Sequence, residues 1–405
     1  MAHTRDRSVG ALLSKLLAFS PIVGIFGHRQ VGKTTLASRL SPSYWTLDDR
    51  ETRRAIAKDP KAFLLRKGQR PPVIIDECQY EPDLFPALKE HVRTRKRPGQ
   101  FVLTGSVRFT SRKAIRESLA GRISPLELYP LILSELEGVE LPDTVPTLMA
   151  LASFTSSTVD GLKRGVLLKK TQQVMEKYLT HGGLPGICFV REERLRRELL
   201  SALHALIIDR DLRLIVETKL SMDTLMRWLQ WIAANGWNAY SATQARNAVG
   251  ISFPTQKNLL YALESIYLIR RIPIKGRSGV ILLLEDQYEE VALSRGAYDR
   301  KEQLLSCFFR NARAQFHYRM GERVEFESYW TQSGARVPLV VRGAQGAALG
   351  FIAVAGAKPT LSQTRAADSF LRHEPQGKVV FLSGEPMKAA VLDPRVLHCA
   401  AAALL

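Results

Sequence analysis

Two short stretches of this 405-residue chain place residue types at spacings suited to phosphate chemistry. The first, Gly27-His28-Arg29-Gln30-Val31-Gly32-Lys33-Thr34-Thr35, fits G-x-x-x-x-G-K-[ST]. A polyphosphate packs several anionic oxygens into a small volume. A loop that receives it must turn backbone N–H groups inward, with glycine wherever a Cβ would block the approach. Lys33 is then placed to reach the outer phosphates and the Thr34 hydroxyl to hold Mg2+, while the backbone from Gly27 to Thr35 forms the cradle. The second stretch, Pro72-Val73-Ile74-Ile75-Asp76-Glu77, is an apolar run ending in two carboxylates. Asp76 suits a metal held through water, and Glu77 suits polarisation of an attacking water. Each stretch alone has a plain alternative: an ordinary strand-turn-helix, or a buried strand followed by surface acids. They gain force together, because a separation of roughly 40 residues fits one intervening strand and its crossover helices in a parallel α/β sheet.

The elements that must position these groups are legible as patterns. Apolar residues precede the first glycine, and Leu36, Ala37 and Leu40 follow Lys33 at helical spacing, so the cradle reads as strand, loop and helix start. The helix adds its positive end to the bound anion. Leu12, Leu13, Leu16 and Leu17 predict a short amphipathic helix before it, and Tyr44 to Leu47 a second strand. Asp48 and Asp49 at its end have two readings, approach to a metal or a ribose, or Asp48 or Asp49 as the cap of a helix over Arg50 to Lys58. Leu84 to Thr94 reads as a helix ending in the basic run Arg93 to Arg97, more simply a solvated helix end than a nucleic-acid contact. Gln100 to Ser106 reads as a strand whose Thr104 or Ser106, at the carboxyl end of a parallel strand, is placed to sense the terminal phosphate, with a plain strand and turn as the alternative.

At this point the residues resemble a family. The cradle, Leu47-Asp48-Asp49, Ile75-Asp76-Glu77-Cys78-Gln79, Leu103-Thr104-Gly105-Ser106 and Leu119-Ala120-Gly121-Arg122 occur in the order found in prokaryotic AAA-type ATPases that carry a C-terminal DUF4143 domain. The resemblance implies an AAA-like core, ATP and Mg2+ as cofactors, and a small helical lid. It also implies that Arg122 contacts nucleotide phosphate in its own subunit or a neighbour's. An arginine fork suits that task, with a surface salt bridge as the alternative.

Downstream, Phe154 to Thr158 reads as a loop, and Arg191 to Leu214 as a helical segment ending near Asp209-Arg210-Asp211. Helix candidates at Leu225 to Ala234, Ser241 to Val249 and Phe253 to Ile266, followed by a strand-like Tyr267 to Ile274, match a winged helix-turn-helix. There Thr255, Gln256, Lys257 and Asn258 are placed to meet bases or phosphates of duplex DNA, and Lys275 and Arg277 on a wing to meet phosphate. A protein-packing role for the same module is the alternative. From Gly276 onward, apolar stretches alternate with helix candidates as in a second α/β domain. For this region the family resemblance implies a restriction-endonuclease-like fold. Arg336 and Pro338 stand where its acid is expected beside Val337, while Ala353 and Ala355 replace a further acid and the lysine. Mg2+ requires oxygen ligands, so no nuclease activity is expected.

Composition bounds the rest. A net charge of +19 makes a polyanionic partner plausible, nucleic acid before membrane. The four cysteines, Cys78, Cys188, Cys307 and Cys399, are too dispersed for a zinc site or disulfide framework and point to a reducing compartment. No apolar run reaches the ~18–20 residues of a membrane span, and the start carries Asp6 and no cleavable apolar segment, so the expected location is cytoplasmic. The expected architecture is α/β: an AAA-like P-loop core over residues 1–137, a helical lid or linker and winged helix over 138–275, and a nuclease-like α/β domain lacking its acids over 276–405. The expected function is Mg2+-dependent ATP hydrolysis coupled to DNA binding, with ATP-dependent homo-oligomerisation. The competing expectation is an ATP-switched regulatory or interaction module with little turnover.

Overall fold

A computed structural model describes residues 5–67, 70–108, 119–319, 323–356 and 358–405. The first four residues, part of the stretch read as lacking a leader, lie outside this set. The amino-terminal region is a five-stranded sheet of β1 (Ile22–Phe26), β2 (Tyr44–Thr46), β3 (Val73–Asp76), β4 (Phe101–Gly105) and β5 (Ile123–Glu127), in the order β2-β3-β4-β1-β5. Every pairing is parallel, and β1, β3 and β4 are buried along their whole length. That explains their uninterrupted apolar sequences: strands covered by helices on both faces have no polar side to alternate with. Because β4 lies between β1 and β3, the carboxyl ends of all three open onto one rim, and that rim carries the cradle.

The first helix spans Gly10–Phe19, and the helix after the cradle spans Lys33–Ser38. Asp49 is the cap of the helix Arg50–Lys58, accepting from the N–H groups of Glu51 and Thr52. Phe154 to Thr158 is only partly a loop, since a helix runs over Ser156–Asp160 once Thr155 caps it with Thr158. Helices Gly165–His181 and Glu193–Leu206 follow, the latter passing into a π-helical turn at Ile207–Leu212. Helices Met222–Asn235, Ala242–Val249 and Phe253–Ser265 then lead into a hairpin of β6 (Ile269–Lys275) and β7 (Val280–Leu284).

That hairpin does not end a domain. β6 also pairs in parallel with β8 (Glu325–Trp330), so it belongs to an eight-stranded sheet with β9 (Arg336–Arg342), β10 (Ala348–Val354), β11 (Gly377–Ser383), β12 (Ala390–Asp393) and β13 (Val396–Ala400). A boundary at residue 275 therefore cuts a strand ladder. Lys275 is correspondingly not a free wing residue, since its ammonium donates to Glu374 at 2.9 Å, and Arg277 stacks on the Trp330 ring at 3.8 Å. On β9, Arg336 donates to the Trp237 carbonyl and lies over Trp330. Nearby Glu327 and Glu374 are both held by Arg342 at 2.7 and 2.8 Å. Among the described residues, no cluster of three or more His, Cys, Asp or Glu side chains could hold a metal ion, the four cysteines are free and buried, and no helix is long and apolar enough to cross a membrane.

The two sheets meet through buried charge. Arg270 of β6 donates to Glu285 at 2.5 Å and contacts Glu127 at the end of β5, while Arg313 also donates to Glu285 at 2.5 Å. Glu285→Gln would leave two guanidinium groups with a weakened partner in a dry site. We expect a stability loss of about 3–5 kcal/mol in denaturant unfolding. A loss of only ~0–1 kcal/mol, the usual worth of a surface pair, would show that solvent reaches the cluster.

Candidate active site

The loop between β1 and the helix Lys33–Ser38 has the backbone its sequence calls for. Gly27 has φ 157° and Gly32 φ 95°, and a Cβ on Gly27 would sit 2.2 Å from the Leu128 carbonyl oxygen, so only glycine fits there. Gln30 takes a left-handed φ of 63°, a conformation unusual for a residue with a side chain. The Lys33 ammonium is buried within the loop, donating to the carbonyls of Gly27 at 3.1 Å and His28 at 2.9 Å. Burial pushes its pKa down, with Glu77 acting in the opposite sense.

Asp76 closes the site from the end of β3. The Thr34 hydroxyl donates to it at 3.0 Å, the Tyr44 hydroxyl at 2.5 Å, and the Thr104 hydroxyl as well. Thr104 thus orients Asp76, and its oxygen also accepts the Glu77 N–H at 3.3 Å. Thr34 and Asp76 together offer hydroxyl and carboxylate oxygens, the hard donors that Mg2+ prefers. They are too few to hold a cation unaided, which suits an ion whose other oxygens come from phosphate and water.

Glu77 follows in a left-handed conformation at φ 55°, a strain of order 1–3 kcal/mol that clusters at functional positions. Its carboxylate is buried and accepts from the Gln79 amide at 2.5 Å, and that amide also donates to Ser106 at 3.2 Å. Burial raises its pKa, while Lys33 works to lower it. A carboxylate moved toward neutrality in this way is a better proton acceptor near neutral pH than a solvated one. Ser106 therefore acts on Glu77 through Gln79.

The outward face of the cradle is tied to elements far along the chain. Arg29 makes a forked ion pair with Asp211, Nε to Oδ2 at 2.9 Å and Nη2 to Oδ1 at 2.8 Å, and reaches Tyr80 at 3.3 Å. Burial opposes the charge of Arg29, but Asp211 outweighs it and holds the guanidinium above its usual range. His28 is fully enclosed, with Nε2 3.3 Å from Glu289, whose same oxygen also meets His204 at 2.9 Å. Arg7 donates to the Val31 carbonyl at 2.6 Å, and a Cβ on Gly186 would lie 3.3 Å from the Gln30 amide oxygen. None of Arg7, Tyr44, Asp211 or Glu289 was singled out by motif. Asp211 had appeared only as a helix end, and its seat in a π-helical turn, a feature frequent at functional sites, is visible only in three dimensions.

Two expected site residues are placed elsewhere. Arg122 immediately precedes β5, and Ile123 is in register with Ile22, the first residue of β1, whereas the cradle follows Phe26. The strand length between them is ~13 Å, and the Arg122 guanidinium bonds the Ala120 carbonyl on its own side, so it does not reach the cradle of its own chain. Gln256 faces inward: it is buried, accepts from Tyr240 at 2.6 Å and donates to the Ala242 and Ile251 carbonyls at 3.1 and 2.8 Å, so it cannot read a base. Lys257 and Asn258 are exposed, and Thr255 is half-buried against Ser252.

Residues 19–137 match the AAA domain family AAA_14, and residues 172–280 match a domain of unknown function, DUF8612, in place of the expected DUF4143. Uncharacterized proteins of Mycobacterium bovis and Mycobacterium tuberculosis are each 33% identical over 131 residues, which is 32% of this chain and 30% of the relative, so the match spans under a third of their length. Among solved structures, a Walker-type ATPase of Pyrococcus abyssi aligns with 71% of this chain and 95% of its own at 14% identity and TM-score 0.37. The RuvB Holliday junction branch migration motor of Thermotoga maritima aligns with 67% of this chain and 90% of its own at 16% identity and TM-score 0.29. Sequence motif, strand order, site geometry and family match coincide on one segment, residues 19–137, which is an AAA-like, P-loop ATPase-like domain.

Proposed function

We propose that this protein binds and hydrolyses ATP with Mg2+, and that the cycle is coupled to DNA through the helices that follow the ATPase domain. The observation that carries the proposal is the convergence of Lys33, Thr34, Asp76 and Glu77 on one rim, each held by a partner that leaves it suited to a separate task. The backbone from Gly27 to Thr35 receives the polyphosphate, and Lys33 exchanges the carbonyls of Gly27 and His28 for phosphate oxygen. Thr34 and Asp76 would hold Mg2+, which neutralises charge on the phosphates when bound. Glu77 orients water and takes its proton, with Gln79 and Ser106 fixing the carboxylate.

We read residues 222–284 as a winged helix-turn-helix whose exposed Lys257 and Asn258, with Thr255 beside them, face duplex DNA, and the C-terminal sheet as a nuclease-like scaffold without its acids. A second reading, an ATP-operated switch with little turnover, is favoured by the ties from His28 and Arg29 to Glu289 and Asp211, through which a change in the cradle reaches the rest of the chain. Steady-state turnover with and without duplex DNA separates the two, since a coupled enzyme accelerates with the polymer.

Lys33→Ala should abolish binding of a fluorescent ATP analogue with the circular dichroism spectrum retained; unchanged affinity would sink the assignment. Glu77→Gln should bind the analogue normally and lose roughly 10²- to 10⁴-fold in kcat. Turnover at the wild-type rate would assign water activation to another residue.

The ties also set a pH dependence. Burial opposes protonation of His28, but Glu289 overrides it and the His28 pKa is raised; Glu289 is depressed, since the two histidines outweigh its own burial. A raised histidine stabilises the fold fully below its ordinary value of 6.5, and that contribution is lost as pH rises through the folded value. A depressed glutamate contributes above its ordinary value of 4.5 and is lost as pH falls through the folded value. The pairing should therefore help most between those two values. Thermal unfolding of Glu289→Gln against wild type should show a stability deficit that shrinks as pH rises above neutral. A deficit constant from about pH 5 to about pH 9 would count against a charged pairing.

A further inference from the structure

The amino-terminal ends of the parallel strands, at the opposite end of the sheet from the cradle, form a surface of different character. Val73, Phe101, Ile22 and Ile123 lie in one row across β3, β4, β1 and β5. The segments that feed those strands therefore lie side by side over about 15 Å. They contribute Arg70, Arg95, Lys96, Arg97 and Arg122, and their sequences 70–72, 94–100 and 119–122 contain no carboxylate. Among the described residues none of these five cations has an ion-pair partner. The acid nearest along the chain to the loop 95–97, Glu90, is already taken by Arg93 at 2.8 Å.

The basic loop is built rather than loose. The Gln100 amide donates to the carbonyls of both Arg95 and Arg97 at 2.7 Å, which fixes the turn that displays their side chains. The loop is docked on the end of the first helix: the Gly99 N–H donates to Ser20 at 2.8 Å, and a Cβ on Gly99 would sit 3.0 Å from the Leu17 carbonyl. Between loop and strand feet lies a cavity of about 550 Å3 lined by Pro71, His91, Arg95, Lys96, Arg97 and Gln100. Phe19, the last residue of the first helix, sits beside this loop and is 60% exposed, an aromatic ring with no core to enter.

We propose that this end of the sheet binds single-stranded nucleic acid, with Arg70, Arg95, Lys96, Arg97 and Arg122 on phosphates and Phe19 as a stacking platform for a base. A charged track combined with an exposed aromatic ring is the pairing that unpaired strands require. Duplex readout by an inserted helix is not available at this site. The helices Gly10–Phe19 and Leu84–Thr94 reach the rim by their carboxyl ends, whose dipole disfavours phosphate, so contact falls to side chains. The excess of arginine over lysine fits phosphate oxygens, which a guanidinium meets with two parallel donors. This site is separate from the exposed face of the helix Phe253–Ser265 and does not depend on it.

The test is fluorescence anisotropy of a labelled oligothymidylate across a salt series, using the full chain, with ATP-analogue affinity measured on every variant. The triple change Arg95→Gln, Lys96→Gln, Arg97→Gln should weaken binding on the order of 100-fold at low salt and flatten the log–log salt slope by about 2, near 0.7 per lost contact. Phe19→Ala should cost on the order of tenfold with the slope unchanged. Both should keep wild-type affinity for the ATP analogue, because they lie at the far end of the sheet, and that retained affinity shows that the variants are folded. Wild-type oligonucleotide binding by the triple variant overturns the proposal. So does an equal loss in Lys257→Gln, which would move the site to the helical region, or binding of phosphatidylserine vesicles without binding of the oligonucleotide. Absence of ATP hydrolysis by the wild-type chain, with its oligonucleotide binding intact, counts against the ATPase proposal and not against this one.

Discussion

A phosphate-binding loop cannot stabilise itself. Its inward side must stay bare so that backbone N–H groups can meet the anion, which forces its side chains outward to find partners elsewhere. In this chain those partners lie outside the ATPase domain. His28 meets Glu289, Arg29 meets Asp211, and Gln30 lies against Gly186, while Arg7 reaches back to the Val31 carbonyl. Glu289 is the most constrained of them, because one buried carboxylate oxygen faces two imidazoles, His28 and His204, carried by different elements. Removing either ring would leave the carboxylate's desolvation less well compensated. The apolar packing follows the same plan, since Val31 and Leu184 belong to one core with helix residues as distant as Trp228 and Leu263.

This arrangement decides what could be read from the sequence. The cradle, the Asp76-Glu77 strand end and the Asp49 cap were legible because each is a local device: a turn needing glycine, an apolar strand with acids at its tip, a side chain satisfying two N–H groups just ahead of it. The ties of the cradle were not legible. Arg29 and Asp211 are separated by 182 residues, and a fork between an arginine and a carboxylate leaves no periodic trace in either neighbourhood. Gln256 was misread for a related reason. Helical position alone puts it among the residues able to face DNA, and only the location of Tyr240 and the Ala242 carbonyl shows that this side of the helix is the inner one. Arg122 could be placed only once Ile123–Glu127 was known to be a strand, because the residue before a parallel strand is at the wrong end of the sheet for the cradle.

The C-terminal half shows how strand pairing overrides domain boundaries drawn from local sequence pattern. β6 has one face in the core and one toward solvent, and on that evidence it suits the edge hairpin of a small module. Its parallel pairing to β8 makes it an interior strand of a larger sheet instead, a relation that needs residues more than fifty positions apart. Arg270, on the same strand, then faces Glu127 of the ATPase sheet and Glu285 and Arg313 of the C-terminal half. The hairpin is thus held by both halves, and a movement of either half must be accommodated at this buried cluster.

The distribution of charge follows from these interior commitments. Arg29, Arg270, Arg310 and Arg313 are taken up by buried carboxylates, and among the described residues the buried carboxylates outnumber the buried Lys and Arg side chains, so the excess of +19 is expressed at the surface. Within the parallel sheet the two ends are polarised. The carboxyl end gathers Asp76 and Glu77 around a single enclosed lysine, whereas the amino end displays arginines that face no acid among the described residues. A nucleotide with its cation suits the first end and an unshielded polyanion the second. Because β3 and β4 are buried along their whole length and hydrogen-bonded to each other, the distance between those two ends is fixed by the sheet. Any communication between them must therefore pass through the elements flanking the strands: the helix Gly10–Phe19, which begins just after Arg7 on the cradle side and ends at Phe19, and the helix Leu84–Thr94, which begins after Glu77 and ends in the basic loop.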